Sequence, residues 1–297
     1  MKTIKNLYKL SLIAVLLVSF AACSSVSNEI ESLSDEDIAM AAQVVSESMS
    51  SENSGVMSSV YDAVSNVDES GIEYGDKAKA ANDPTDRGHE SSYSYTYDEA
   101  TGLHTISYNR SAQRGEFSKS VSLVNTYIFK TPEGNFIARP RADRDSIESI
   151  DFTGNKSGSH TRPHRSSEFA RADTFAVSGL HSTSSIVTID GIHYGEGSAS
   201  GTLEDGTQVS RSFAVNIELD NVTIDKDSVA TYSNLEQGVN GTLNYSVALN
   251  KVNGDRSEEK VIEGTIEFVG DGTALLRFKK IPKIIRFSLK DGSTDEE

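Results

Sequence analysis

The sequence predicts a mainly β protein. An antiparallel meander of long strands forms a curled sheet, a sandwich or a (half-)barrel, preceded by a short N-terminal α-helical hairpin. Three observations carry this. From Ser91 onward, apolar and aromatic residues recur at every second position, the period of a half-buried strand. Asp-Gly and Asn-Gly pairs punctuate these runs, and such pairs tolerate the positive φ of tight hairpin turns. Over residues 34–67 the apolar period is instead helical.

The first 25 residues stand apart from that fold. Lys2, Lys5 and Lys9 precede the apolar run Leu10 to Phe20, and Ala21-Ala22 lead directly into Cys23, the chain's single cysteine. The run is too short for a mature transmembrane helix, which needs about 20 apolar residues. A basic start, a short apolar core and small residues before a cut describe a secretory signal. With the cysteine in place, this stretch resembles a bacterial lipoprotein signal peptide and its lipobox, with Phe20 where that pattern usually has Leu. The resemblance implies a signal removed over residues 1–22 and lipid attached to Cys23. It also implies a lipid-anchored protein of the cell envelope. Ser24 follows the cysteine, where an aspartate resembles an inner-membrane retention signal, so the outer membrane is expected. Several acyl chains hold firmly, because each buried CH₂ contributes about 0.8 kcal/mol. With the cysteine used in this way, no intrachain disulfide is possible and stability must come from the core.

Composition narrows the partners. The chain holds 28 Lys+Arg against 44 Asp+Glu; without the three signal lysines, 25 bases face 44 acids, a net charge of −19. That argues against nucleic acid, whose phosphates need a basic surface, and against electrostatic docking to anionic lipid. Residues 24–86 carry 14 acids and only two bases, whereas residues 87–180 are nearly balanced, so a boundary is expected near residue 86.

Residues 23–33 read as lipid anchor and tether. The hairpin spans 34–67. Ser34 and Asp37 have capping-box spacing, and Asp35, Glu36 and Asp37 suit the first turn of a helix. Ile38, Ala41, Ala42, Val45 and Met49 form one apolar stripe, and Val56, Met57, Val60, Tyr61, Val64 and Val67 form a second after Gly55. Such short helices need a partner surface, which is either their own sheet or another protein. Residues 68–90 lack periodicity and read as a flexible linker. The β-rich domain spans 91–290 and an acidic tail 291–297.

Within the β-rich domain, Tyr93, Tyr95 and Tyr97 alternate with Ser and Thr, and Leu103 to Tyr108 returns as a hairpin partner. Val121 to Lys130, Ile147 to Phe152 and Phe169 to Val177 continue as strands, the last two around a long loop, Gly154 to Ser167. Turns are expected at Asp190-Gly191, Asp205-Gly206, Asn253-Gly254 and Gly270-Asp271-Gly272. Between them run Ser185 to Ile189, Ile192 to Leu203, Gln208 to Leu219, Gly241 to Lys251, Lys260 to Val269 and Thr273 to Phe278, with a last strand from Ile284 to Leu289.

Chemistry is sparse. There is no G-x-S-x-G elbow, C-x-x-C, H-E-x-x-H, P-loop or dinucleotide fingerprint, so no catalytic residue is assigned. His104 and His193 are expected as half-exposed strand residues. His160, Arg162, His164 and Arg165 make a local basic cluster in the loop, an anion candidate for a carboxylate, phosphate or sulfated sugar, or else a solvated loop. Asp220, Asp225 and Asp227 offer alternating oxygens that suit Ca²⁺, though without the glycine and terminal glutamate of an EF-hand loop. No cofactor is expected beyond the covalent lipid on Cys23. The reading is a membrane-anchored envelope lipoprotein with a structural or protein-binding role, its partners the membrane and an envelope protein. The alternatives are a carrier or chaperone holding a lipid or other apolar ligand in the curled sheet, and a hydrolase whose site is assembled in space.

Overall fold

The computed structural model describes residues 33–64, 67–68, 71–72, 89–202, 206–254 and 256–295. The expected signal peptide, Cys23, nearly all of the expected tether and most of the expected linker over 68–90 lie outside the described residues. From Ser34 onward the chain forms one compact unit.

Helix α1 (Asp35–Met49) begins at a full capping box. The Ser34 hydroxyl accepts the Asp37 amide at 3.1 Å, and the Asp37 carboxylate accepts the Ser34 amide at 3.2 Å. Two donors that the first turn leaves without intrahelical partners are thereby satisfied. Ile38, Ala41, Ala42, Val45 and Met49 are buried, as their spacing requires. Ser50 turns extended and ends the helix. Ser54 takes a left-handed φ of 63° before α2 (Val56–Val64), which buries Val56, Met57, Val60 and Ala63.

The strands form an antiparallel sheet. After a small pair, β1 (Val67–Asp68) and β2 (Gly71–Ile72), the main sheet contains β3 (His89–Asp98), β4 (Leu103–Arg114), β5 (Phe117–Lys130), β6 (Ser149–Arg162), β7 (Arg165–Ser178), β8 (Ile186–Thr202) and β9 (Gln208–Asp225). Helix α3 (Lys226–Tyr232) and β10 (Val239–Asn240) follow, then β11 (Thr242–Asn253), β12 (Arg256–Phe268), β13 (Thr273–Phe278), β14 (Ile284–Ser288) and β15 (Thr294–Asp295). Neighbours in sequence are neighbours in the sheet, except that β11 joins β9 directly and β10 pairs with β9 to one side. Among the described residues β3 and β15 are the two edges, so the sheet curls without closing. The expected acidic tail contributes β15, which pairs with β14 through Arg286↔Asp295 and Phe287↔Thr294.

Two sequence expectations are corrected. The stretch Gly154 to Ser167 is no loop. β6 and β7 continue through it in register, from Gly154↔Asp173 to Arg162↔Arg165, and turn only at Pro163-His164, where His164 takes φ 63°. Its Ser, Thr and Gly content reflects a strand end with little core to cover. Asp190-Gly191 is no hairpin turn but lies inside the 17-residue strand β8. The β8–β9 register shifts between Ile189 and Gly191, which marks a bulge. Gly191 there has φ 155°, and a Cβ on it would collide with the carbonyl oxygen of Thr174. Asn221 on the facing strand has φ 53°, and its amide donates to Asp190 Oδ1 at 2.7 Å. An Asp-Gly pair thus serves a bend within a strand rather than a reversal. Asn253-Gly254 and Gly270-Asp271-Gly272 are turns, with positive φ at each glycine.

Strand alternation gives the sheet two different faces. One, the inner face, carries Phe129, Phe152, Phe175, Ile217, Val247 and Ile266, all buried. The helices lie on it, α1 across β9 and β11 and reaching β14 and β15, α2 over β6 and β7. The curled sheet therefore wraps its own helices as a half-barrel does.

Candidate functional site

The most developed side-chain cluster sits where α2 meets β7 and β8. Asp173 and His193 are cross-strand partners in the β7–β8 register, and both point to the inner face. His193 Nδ1 lies 2.6 Å from Asp173 Oδ1, and the Ser59 hydroxyl of α2 donates to Asp173 Oδ2 at 2.6 Å. Arg171 Nε approaches Asp173 Oδ2 at 3.5 Å, and its outer nitrogen donates to Asp62 of α2 at 3.0 Å. Arg171 also donates to the carbonyls of Ser54 and Gly55, at the turn between the helices. Ser59, Asp173 and His193 are at most 2% exposed.

A serine, an aspartate and a histidine in one cluster raise the hydrolase alternative, and their order argues against it here. A nucleophilic serine needs the histidine as its base, with the carboxylate behind. In this cluster the carboxylate stands between the other two, Ser59 donates to it directly, and the group is sealed from solvent. Its geometry suits a lock that holds α2 on the sheet.

Two more polar clamps act alongside it. Glu236 is buried in the turn after α3; it accepts Ser51 Oγ at 2.7 Å and Tyr61 OH at 2.6 Å. Burial and then the Glu236 hydrogen bond push the Tyr61 phenol up to about 12. At the start of α1, Lys251 of β11 donates to Asp37 at 2.9 Å and lies 3.2 Å from Glu36. Burial alone would raise the Asp37 carboxyl, but the bonds from Lys251 and Ser34 outweigh it and hold the group below its ordinary range. For Lys251, burial opposes the charge, and the bonds to Asp37 and Glu36 outweigh it and raise the ammonium.

The structure places the residues singled out from sequence as follows. Cys23 lies outside the described residues. Asp220, Asp225 and Asp227 do not form an open ligand loop, because β9 runs as a strand to Asp225. The Asp225 side chain caps α3, accepting the amides of Asp227 and Ser228 at 2.9 and 3.0 Å. Asp220 accepts Asn221 Nδ2 at 2.8 Å instead. Lys226 lies between them and donates to the carbonyls of Leu180, His181 and Ser184. Among the described residues no group of three or more His, Cys, Asp or Glu side chains is placed to hold a metal.

His160, Arg162, His164 and Arg165 do come together, at the β6–β7 tip, where Arg162 Nε donates to His160 Nε2 at 3.1 Å. His104 and His193, expected half-exposed, are buried instead, His104 Nε2 within 2.9 Å of the Ile137 carbonyl. Burial lowers the His104 imidazole, partly offset by that carbonyl. Arg171 and Asp173 were missed by sequence reasoning. The available signal was parity, since both share the odd positions of Phe169, Phe175 and Val177 on one strand.

Two open clefts flank these clamps. One, of about 1150 Å³, lies beyond the N-terminus of α1 and is lined by Arg165, Arg211, Lys251 and Arg256 with Glu36 and Glu258. The other, of about 1080 Å³, is lined mainly by short outer-face side chains such as Ser120, Ser157, Ser159, Ser198 and Ser212, with Glu168 and Glu196. No helix among the described residues is long and apolar enough to cross a membrane. Comparison with protein family models, curated proteins and solved structures finds no match to this chain.

Proposed function

We propose that this chain is an envelope lipoprotein, held at the outer membrane by lipid on Cys23, with a structural or protein-binding role. The observation that carries this reading is the stretch from Lys2 to Cys23: three lysines, an apolar run too short to span, and Ala-Ala before a single cysteine. The filled inner face supports a binding or structural role over carriage of an apolar ligand. Val215, Ile217, Val247 and Leu249 are buried on the part of the sheet that α1 crosses. Intact-mass spectrometry of the protein from its native envelope tests the anchor. The expected result is a chain starting at Cys23 and carrying acyl chains; a different start, or an unmodified Cys23, overturns it. Crosslinked pull-down from the same envelope tests the role, and the absence of any reproducible partner counts against the protein-binding half of the reading.

A further inference from the structure

Charge on the sheet is sorted by face, and the sorting becomes visible only through the strand register. On the inner face, at the end where β4 meets β5, β6 meets β7 and β11 meets β12, stand Arg114, Lys119, Arg162, Arg165, Arg211 and Arg256. All six are exposed. Among the described residues, the sheet's acid on that face and end is Glu258, with Glu116 in the β4–β5 turn. Other acids of these strands, Glu168, Glu196, Glu218 and Glu259, alternate to the outer face. Asp35, Glu36 and Asp37 of α1 border the patch, and Lys251 and Arg211 face two of them: Lys251 reaches Asp37 at 2.9 Å and Glu36 at 3.2 Å, and Arg211 lies 3.7 Å from Glu36. The same end exposes two aromatic rings on the same face, Phe117 at 51% and Phe169 at 38%.

We infer that this uncovered end of the inner face docks on anionic phospholipid headgroups of the membrane that holds the anchor. The inference rests on the lipoprotein reading above. Three features favour a lipid surface. A chain with 44 acids concentrates exposed arginines on one face and end, where they complement a sheet of phosphates. Exposed phenylalanines beside arginines suit an interface that is apolar below and charged above. Only ten residues lie between Cys23 and Ser34, the cap of the helix that borders this patch, a tether reaching at most about 40 Å when fully extended. An anchored chain therefore cannot carry this end far from the bilayer.

The test uses the chain from Ser24 onward, which retains every described core residue and carries no lipid. Co-sedimentation with phosphatidylcholine vesicles containing phosphatidylglycerol is compared with pure phosphatidylcholine, at low and high salt. Binding is expected to the anionic vesicles only, and to be lost at high salt. Arg162→Ala with Arg165→Ala should weaken it roughly twenty-fivefold, from about fivefold per basic side chain near an anionic surface. Arg256→Ala, in a different hairpin, should weaken it about fivefold, and Arg277→Ala on the outer face should leave it unchanged. Arg162→Ala with Arg165→Ala, and Arg256→Ala, keep the parent melting temperature, since these side chains are exposed. Equal binding to neutral vesicles, or arginine variants that bind as the parent does, overturns the inference. So does retention by polyglutamate without retention by vesicles, which assigns the patch to an acidic protein instead. Because this assay lacks the lipid, its failure leaves the anchor reading to the mass of Cys23, and failure there leaves this result standing.

Discussion

At Asp173 a single carboxylate serves three neighbours: Ser59 on α2, His193 on β8 and Arg171 on its own strand. A charge this deeply buried is tolerated only when paired and hydrogen-bonded. Replacing it leaves Arg171 and His193 buried beside an empty site. Asp173→Ala is therefore expected to lower the unfolding free energy by about 3 kcal/mol, read by urea denaturation. A loss below about 0.5 kcal/mol, the range of ordinary surface changes, would show that the cluster does not hold α2. The residue was legible in one respect. Arg171 and Asp173 occupy the same parity as Phe175 and Val177, so the alternation already places two charges on a core face. The partners were not legible, because His193 and Ser59 are 20 and 114 residues away and only the β7–β8 register brings the first of them opposite.

At the scale of the element, α1 shows how local and distant signals combine. Its cap and its apolar stripe are both readable in order, since each rests on residues within a few positions. Its docking is not, because Lys251 lies 214 residues from Asp37. That pair makes the seating of α1 depend on pH. The Asp37 carboxyl is held below its ordinary value, so its contribution is fully present above the unfolded value and is lost as pH falls through the folded one. Lys251 is raised, so its contribution is present below the unfolded lysine value and is lost only as pH rises through the folded one. Between those limits the pair is intact. Acidification below about pH 4, the ordinary carboxylate range, is expected to loosen α1 before the neutral-pH core gives way. Amide hydrogen exchange over residues 35–49 should then rise at acid pH in the parent. In Asp37→Asn the same exchange should already be raised at neutral pH and change less on acidification. An unchanged acid response in that variant would exclude Asp37 as the titrating group.

Across the whole molecule, the strand run and the curl were legible and the division of the faces was not. Alternation in Leu243, Tyr245, Val247 and Leu249 announces a buried face without saying what buries it. The tight turns were readable at Asn253-Gly254, while the Asp190-Gly191 bulge was misread because the same dipeptide satisfies either geometry when φ turns positive. The basic end escaped for a related reason: its arginines come from β4, β6, β7, β9 and β12, and share a face only once every register is known. That shared face also ties the helices to the sheet. Val215, Ile217, Val247 and Leu249 are at most 1% exposed on strands that α1 crosses, so α1 cannot leave without exposing the centre of the sheet to water. Helices and sheet should then unfold together rather than as a lid and a base. Val45 of α1 is fully buried, and Val45→Asp places an unpaired carboxylate against that face. It is expected to lower the melting temperature by about 10 °C, from a loss of roughly 3–5 kcal/mol in a chain of this size. Far-ultraviolet circular dichroism and near-ultraviolet tyrosine signals should follow one coincident transition in both parent and variant. Two separated transitions in the parent, with the sheet signals surviving the first, would mean that the sheet holds its curl without α1.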